Sequence, residues 1–63
     1  MWITGREEIC IENYKSINIY TETLICIQTM CEQIVIEGND LIIDYYTSEI
    51  MQISGTINQV YYQ

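Results

Sequence analysis

An Ile-x-Ile type doublet recurs about every eight residues along this chain: Ile9/Ile11, Ile17/Ile19, Ile25/Ile27, Ile34/Ile36, Leu41/Ile43 and Met51/Ile53. A spacing of two within each doublet is strand periodicity, because alternate side chains of a strand share a face. The gaps between doublets have room for tight turns and none for a helix. The pattern predicts an all-β chain of about six to seven short strands, each contributing one row of branched aliphatics to a common face.

Strands are expected at Glu7 to Tyr14, Ser16 to Tyr20, Leu24 to Thr29, Gln33 to Glu37, Leu41 to Tyr46, Ile50 to Ser54 and Thr56 to Tyr62. Trp2-Ile3 with Thr4-Gly5 reads as the tail of a further strand ending in a turn. Gly38-Asn39 carries the hairpin signal, since both residues tolerate the positive φ that two-residue primed turns require. Beyond Gly55 the apolar phase slips: Met51, Ile53 and Ile57 share one parity and Val60 and Tyr62 take the other. A β-bulge or a turn at Gly55 would account for the slip. An antiparallel meander, a sandwich or a partly open barrel fits this spacing. The alternative is a β-solenoid, in which Cys10 stacks on Cys26 and Ile9 on Ile25.

Sixty-three residues allow a single domain, 1–63, near the lower limit for independent folding. Small domains compensate with disulfides, metals or partner subunits. Cys10, Cys26 and Cys31 are odd in number and no secretory segment precedes them, so disulfides are not expected. With no His and no Cys-x-x-Cys pair, neither is a metal. Association with other chains is what remains, and a homo-oligomer is the expected state. The net charge of −7, nine acids against Arg6 and Lys15, argues against nucleic acid and anionic membrane surfaces as partners. No apolar run reaches the eighteen or so residues of an integral membrane segment.

Nothing in the sequence resembles reactive chemistry. Cys10, Cys26, Cys31, Ser16, Ser48 and Ser54 have no His to act as their base, and Cys31 is followed directly by Glu32. Glu7 and Glu8 are adjacent on a strand and point to opposite faces, while Asp40 and Asp44 bracket a strand end. No catalytic residue, cofactor site or small-molecule substrate is expected, and the chain reads as no enzyme. Candidate interface residues come from the face opposite the Ile rows, where Cys10, Cys26, Val35 and Ile42 stand in place of clean polar residues. Trp2, Tyr45, Tyr61 and Tyr62 join them, because bulky aromatics concentrate near the two ends of the chain and such side chains suit interfaces.

From Arg6-Glu7-Glu8-Ile9-Cys10-Ile11-Glu12-Asn13-Tyr14-Lys15 the chain resembles the YabP/YqfC family of bacterial sporulation proteins. The likeness continues through Tyr20-Thr21, Ile25-Cys26-Ile27-Gln28-Thr29, Ile34-Val35-Ile36-Glu37-Gly38, then Leu41 and Ile43, Glu49, Ile53-Ser54-Gly55-Thr56-Ile57 and Val60-Tyr61. None of these stretches is a catalytic signature. The resemblance implies a small all-β protein of the mother-cell cytoplasm, at the forespore surface, with a non-enzymatic role in cortex or coat assembly. Its partners would be copies of itself or other sporulation proteins. Members of that family typically begin earlier than Met1-Trp2, which leaves two alternatives, a truncated N-terminus or a divergent relative with another role. Two other readings fit the residues: a monomeric module that binds a partner by strand addition, and a phage or mobile-element structural protein.

Overall fold

A computed structural model describes residues 7–63, so the strand expected around Trp2 to Gly5 lies outside the described residues. The described chain is all-β: β1 (Glu7–Glu12), β2 (Tyr14–Tyr20), β3 (Leu24–Thr29), β4 (Gln33–Tyr46) and β5 (Ile50–Tyr62). They form one open sheet in the order β1-β5-β4-β3-β2, and every pairing is antiparallel. The antiparallel expectation therefore holds and the solenoid does not. Cys10 on β1 and Cys26 on β3 have two strands between them, and all three cysteines are free.

The strand count is five because two expected breaks are absent. Gln33 to Glu37 and Leu41 to Tyr46 are one strand, β4, and Ile50 to Ser54 and Thr56 to Tyr62 are another, β5. Gly38-Asn39 is not a hairpin: Gly38 pairs with Ile57 and Asn39 with Thr56. A straight strand of fourteen residues would measure roughly 46 Å, yet the longest dimension of the molecule is 32 Å. Both long strands are therefore bent. Their outer halves pair with different partners, β3 with Leu24 to Gln28 against Gln33 to Glu37, and β1 with Glu7 to Glu12 against Ile50 to Gly55.

Bulges make the bend and explain the sequence phase. Asp40 and Leu41 together oppose Gly55, with Asp40 at a φ of 55°. The extra residue flips the parity of β4, so that Leu41 and Ile43 return to the face of Ile34 and Ile36. The slip in β5 lies at Asn58 and not at Gly55: Gln59 pairs with Glu37 and Ile57 with Gly38, leaving Asn58 unopposed. A third bulge, at Asn18 of β2, sends the Ile17/Ile19 doublet to opposite faces, since Ile17 pairs with Ile27 and Ile19 with Cys26.

Two glycines sit where the bent strands cross. A Cβ on Gly38 would lie 2.0 Å from the Thr56 carbonyl oxygen, so only a residue without one fits. Gly55, at a φ of 147°, has the Asp40 carbonyl oxygen 2.8 Å from its missing Cβ. Where β4 leaves β3, its amides find new acceptors: Gly38 N–H donates to the Thr23 carbonyl at 3.1 Å and Leu41 N–H to the Glu22 carbonyl at 2.9 Å. Ile43 N–H donates to the Tyr20 hydroxyl at 3.1 Å.

The bend brings both halves of the sheet onto one core of Ile11, Ile25, Ile27, Ile36, Leu41, Met51 and Ile53. Five of the six predicted doublets supply that cluster, directly or from its margin. The β2 doublet does not, and Ile17 and Ile19 are 37% and 41% exposed. The connection between β1 and β2 completes the curl. Only Asn13, at a φ of 57°, separates the two strands, although they occupy opposite ends of the sheet order. Four flat strand spacings would part them by roughly 19 Å, whereas one intervening residue spans at most about 7 Å. The sheet must curl until its edges meet at this corner. Asn13 N–H donates to the Glu49 carbonyl at 2.8 Å, and the Tyr14 hydroxyl donates to the Thr47 carbonyl.

Gly38→Ala is expected to cost about 3 kcal/mol or more, enough to unfold much of so small a domain. Gly55→Ala should cost about 1–3 kcal/mol, from strained φ and contact with Asp40. Urea titrations followed by circular dichroism measure both, and a Gly38→Ala midpoint equal to that of the parent chain would contradict the crossing.

Candidate interaction surface

The face opposite the core is where contact chemistry was expected, and pairing register shows how the bend divides it. Across the first half runs a row of Ile19, Cys26, Val35 and Tyr61, one from each of β2, β3, β4 and β5. Cys26 and Val35 are buried at 5% and 3% exposure, although they lie on the outer side of the sheet. Ile19 and Tyr61 flank them as exposed apolar shoulders. Across the second half, Cys10, Gln52 and Tyr45 form one row, and Glu8, Ser54 and Ile42 form the next. Tyr45 and Ile42 are exposed there, and so is Cys10.

The expected interface set is thus split into two groups. Cys26, Val35 and Tyr61 stand together on one half, and Cys10, Ile42 and Tyr45 on the other. Tyr62 belongs to neither, because it pairs with Ile34 on the core side of the sheet, at an exposed margin. Trp2 lies outside the described residues. Several exposed apolar side chains were not foreseen from the sequence. Periodicity puts Ile17 and Ile19 in the core row; the Asn18 bulge turns Ile19 outward, and Ile17 keeps the core side opposite Ile27 but is exposed on the edge strand. Met30, exposed in the turn between β3 and β4, had a legible signal: an apolar residue inside a polar break.

Polar groups on this surface pair locally. Ser54 Oγ donates to Asp44 Oδ1 at 3.0 Å, and Gln52 Nε2 donates to Glu8 Oε2 at 3.1 Å. The Tyr61 hydroxyl donates to Glu37 Oε2 at 3.0 Å across the β4–β5 pair. That bond, helped by burial and by the Glu37 charge, raises the Tyr61 phenol above its ordinary 10.0. Among the described residues no group of three His, Cys, Asp or Glu side chains stands close enough to hold a metal ion. The chain contains no His to serve as a base for the cysteines.

The YabP family profile matches residues 1–63, the full length of the sequence. The chain belongs to the YabP family. Membership implies a sporulation-related protein, in agreement with the resemblance read from Arg6 to Tyr61. No curated protein matches the chain. For this YabP-family chain, no helix among the described residues is long and apolar enough to cross a membrane.

The Tyr61–Glu37 bond has a measurable signature. Because the folded-state pKa lies above the unfolded one, the stabilisation is complete below pH 10.0 and is lost as pH rises through the folded value. In a spectrophotometric tyrosinate titration, Tyr61→Phe should remove a late-ionising component. Glu37→Gln should make the Tyr61 phenol ionise at lower pH than in the parent chain, and an unchanged titration in both variants would contradict the bond.

Proposed function

We propose that this YabP-family chain is a non-enzymatic structural or assembly protein of endospore formation, working at the cortex or coat through self-association or contact with another protein. The observation that carries the reading is the outer face of the sheet. A solvated sheet face is ordinarily polar, but here Ile19, Tyr61, Ile42 and Tyr45 present exposed apolar area across both halves. Such area on a small domain favours association, because burial against a partner adds stability that a limited core lacks. The mother-cell cytoplasm, at the forespore surface, is the compartment that fits a role of this kind.

A second reading is a monomeric module that accepts a partner by strand addition, favoured by the two edge strands of an open sheet. The edges themselves are guarded. β1 carries Glu7, Glu8 and Glu12, and β2 carries Lys15 and is bulged at Lys15 and Asn18. Charges and bulges of this kind discourage edge pairing, which shifts weight from the edges to the face. Recovery of one stoichiometric partner bound along β2 would favour the module.

Self-association is tested by sedimentation equilibrium at tens of micromolar chain. With a charge of −7 on each copy, like-charge repulsion opposes contact at low salt and is screened as salt rises. The mass should exceed the 7.4 kDa of one chain and increase with salt. Ile42→Lys with Tyr45→Lys should weaken association at least about tenfold while leaving the fold intact. A 7.4 kDa species under all conditions would count against self-association.

A further inference from the structure

Where the two sheet edges converge, an open groove of about 390 Å³ crosses the corner between the β1–β2 junction and the β3–β4 turn. Its lining includes Glu12 and Asn13 from the β1–β2 junction, Met30 and Glu32 from the β3–β4 turn, and Ile34 and Tyr62 from β4 and β5. The walls are fixed by hydrogen bonds that involve no occupant. Thr29 Oγ1 donates to the Glu32 carbonyl at 2.8 Å, and Gln28 Nε2 donates to the same carbonyl at 3.2 Å. Asn13 is held by Glu49, and Gln33 and Gln63 exchange backbone bonds of 3.0 and 2.8 Å beneath Tyr62.

The lining combines an exposed apolar side chain with two carboxylates. Met30 is 75% exposed, an adaptable apolar side chain at a turn where solvent would favour a polar one. Glu12 and Glu32 place two carboxylates beside it with no side-chain partner among the described residues, and none of the described residues lining the groove is a Lys or Arg. A cationic side chain entering here would meet two unpaired carboxylates, lay its methylene stem on Met30 and Ile34, and bring its head over the Tyr62 ring. A second copy of this chain is a poor occupant, since it offers only Arg6 and Lys15 against nine acids.

We propose that this groove receives an extended, lysine- or arginine-bearing segment of a different protein. The proposal rests on the reading of the chain as a protein-binding component, and it assigns that binding to a site separate from the Ile42 and Tyr45 face. Glu12 is exposed and Glu32 half-buried, so attraction by the two carboxylates is modest and salt-sensitive and the apolar contacts must supply the selectivity.

The test is a titration of isotope-labelled full chain with the peptide acetyl-Arg-Val-Lys-Val-Arg-amide, followed by two-dimensional amide spectra. The acidic counterpart acetyl-Glu-Val-Glu-Val-Glu-amide serves as control. Shifts confined to 12–13, 29–34 and 62 are expected with the basic peptide and none with the acidic one. Glu12→Gln with Glu32→Gln should weaken binding about fivefold. Glu7→Gln with Glu22→Gln removes the same charge elsewhere and should change it less than about twofold. Met30→Ala should weaken binding about threefold, since it removes apolar contact without changing charge. Shifts spread over the whole surface, equal losses in the two double variants, or no binding would each overturn the groove. The spectra of the variants report their folding directly. Loss of peptide binding with unchanged sedimentation mass would sink the groove alone, whereas a strict monomer that still binds the peptide would sink only self-association.

Discussion

The close crossing of β4 and β5 at Gly38 and Gly55 is the constraint on which the other features of this molecule depend. With a carbonyl oxygen 2.0 Å from where a Cβ would stand, the two backbones approach as closely as a side-chain-free residue permits. That approach lets two long strands bend together instead of breaking into four. Because they bend, the half of the sheet bearing Ile25, Ile27 and Ile36 folds over the half bearing Ile11, Met51 and Ile53. A flat five-stranded sheet of this length would have two half-covered faces and no enclosed core. The curled sheet has one core, sealed by side chains that a single face of each strand provides.

Much of this was legible in the sequence, and the parts that were not have a common cause. Two-residue periodicity located the strands of the core and identified Ile11, Ile25, Ile27, Ile36, Leu41, Met51 and Ile53 as inward-facing. The residues also carry a change of parity between Ile34/Ile36 and Leu41/Ile43, but a phase change has two physical origins. A hairpin resets the phase by starting a new strand, and a bulge resets it by inserting a residue into the same one. Gly38-Asn39 supports either, because glycine serves a positive φ and a close backbone approach alike. The deciding fact is the Thr56 carbonyl, eighteen residues away and invisible to local reading.

The outer face of the sheet was legible to the same degree. Alternation placed Cys10, Cys26, Val35 and Ile42 on the outer face, but could not say that the bend separates them into two groups or that Cys26 and Val35 are buried there. The Asn18 bulge, which turns Ile19 outward, depends on pairing with β3 and leaves no trace in the β2 sequence itself. The corner groove is a consequence of topology. It exists because β1 and β2, consecutive in the chain, are the two extremes of the sheet order. On the proposed readings, binding of a cationic segment in the groove weakens as salt rises, while self-association through the apolar outer face strengthens.

Nuclear Overhauser contacts between backbone protons across the β4–β5 pair test the bent-strand account most directly. A continuous β4 places Ile36 beside Val60 and Ile43 beside Ile53, and both cross-peaks should be present together. If β4 instead turned back on itself at Gly38-Asn39, Ile36 would lie beside Leu41 and the Ile36–Val60 contact would vanish. That second pattern would contradict the account.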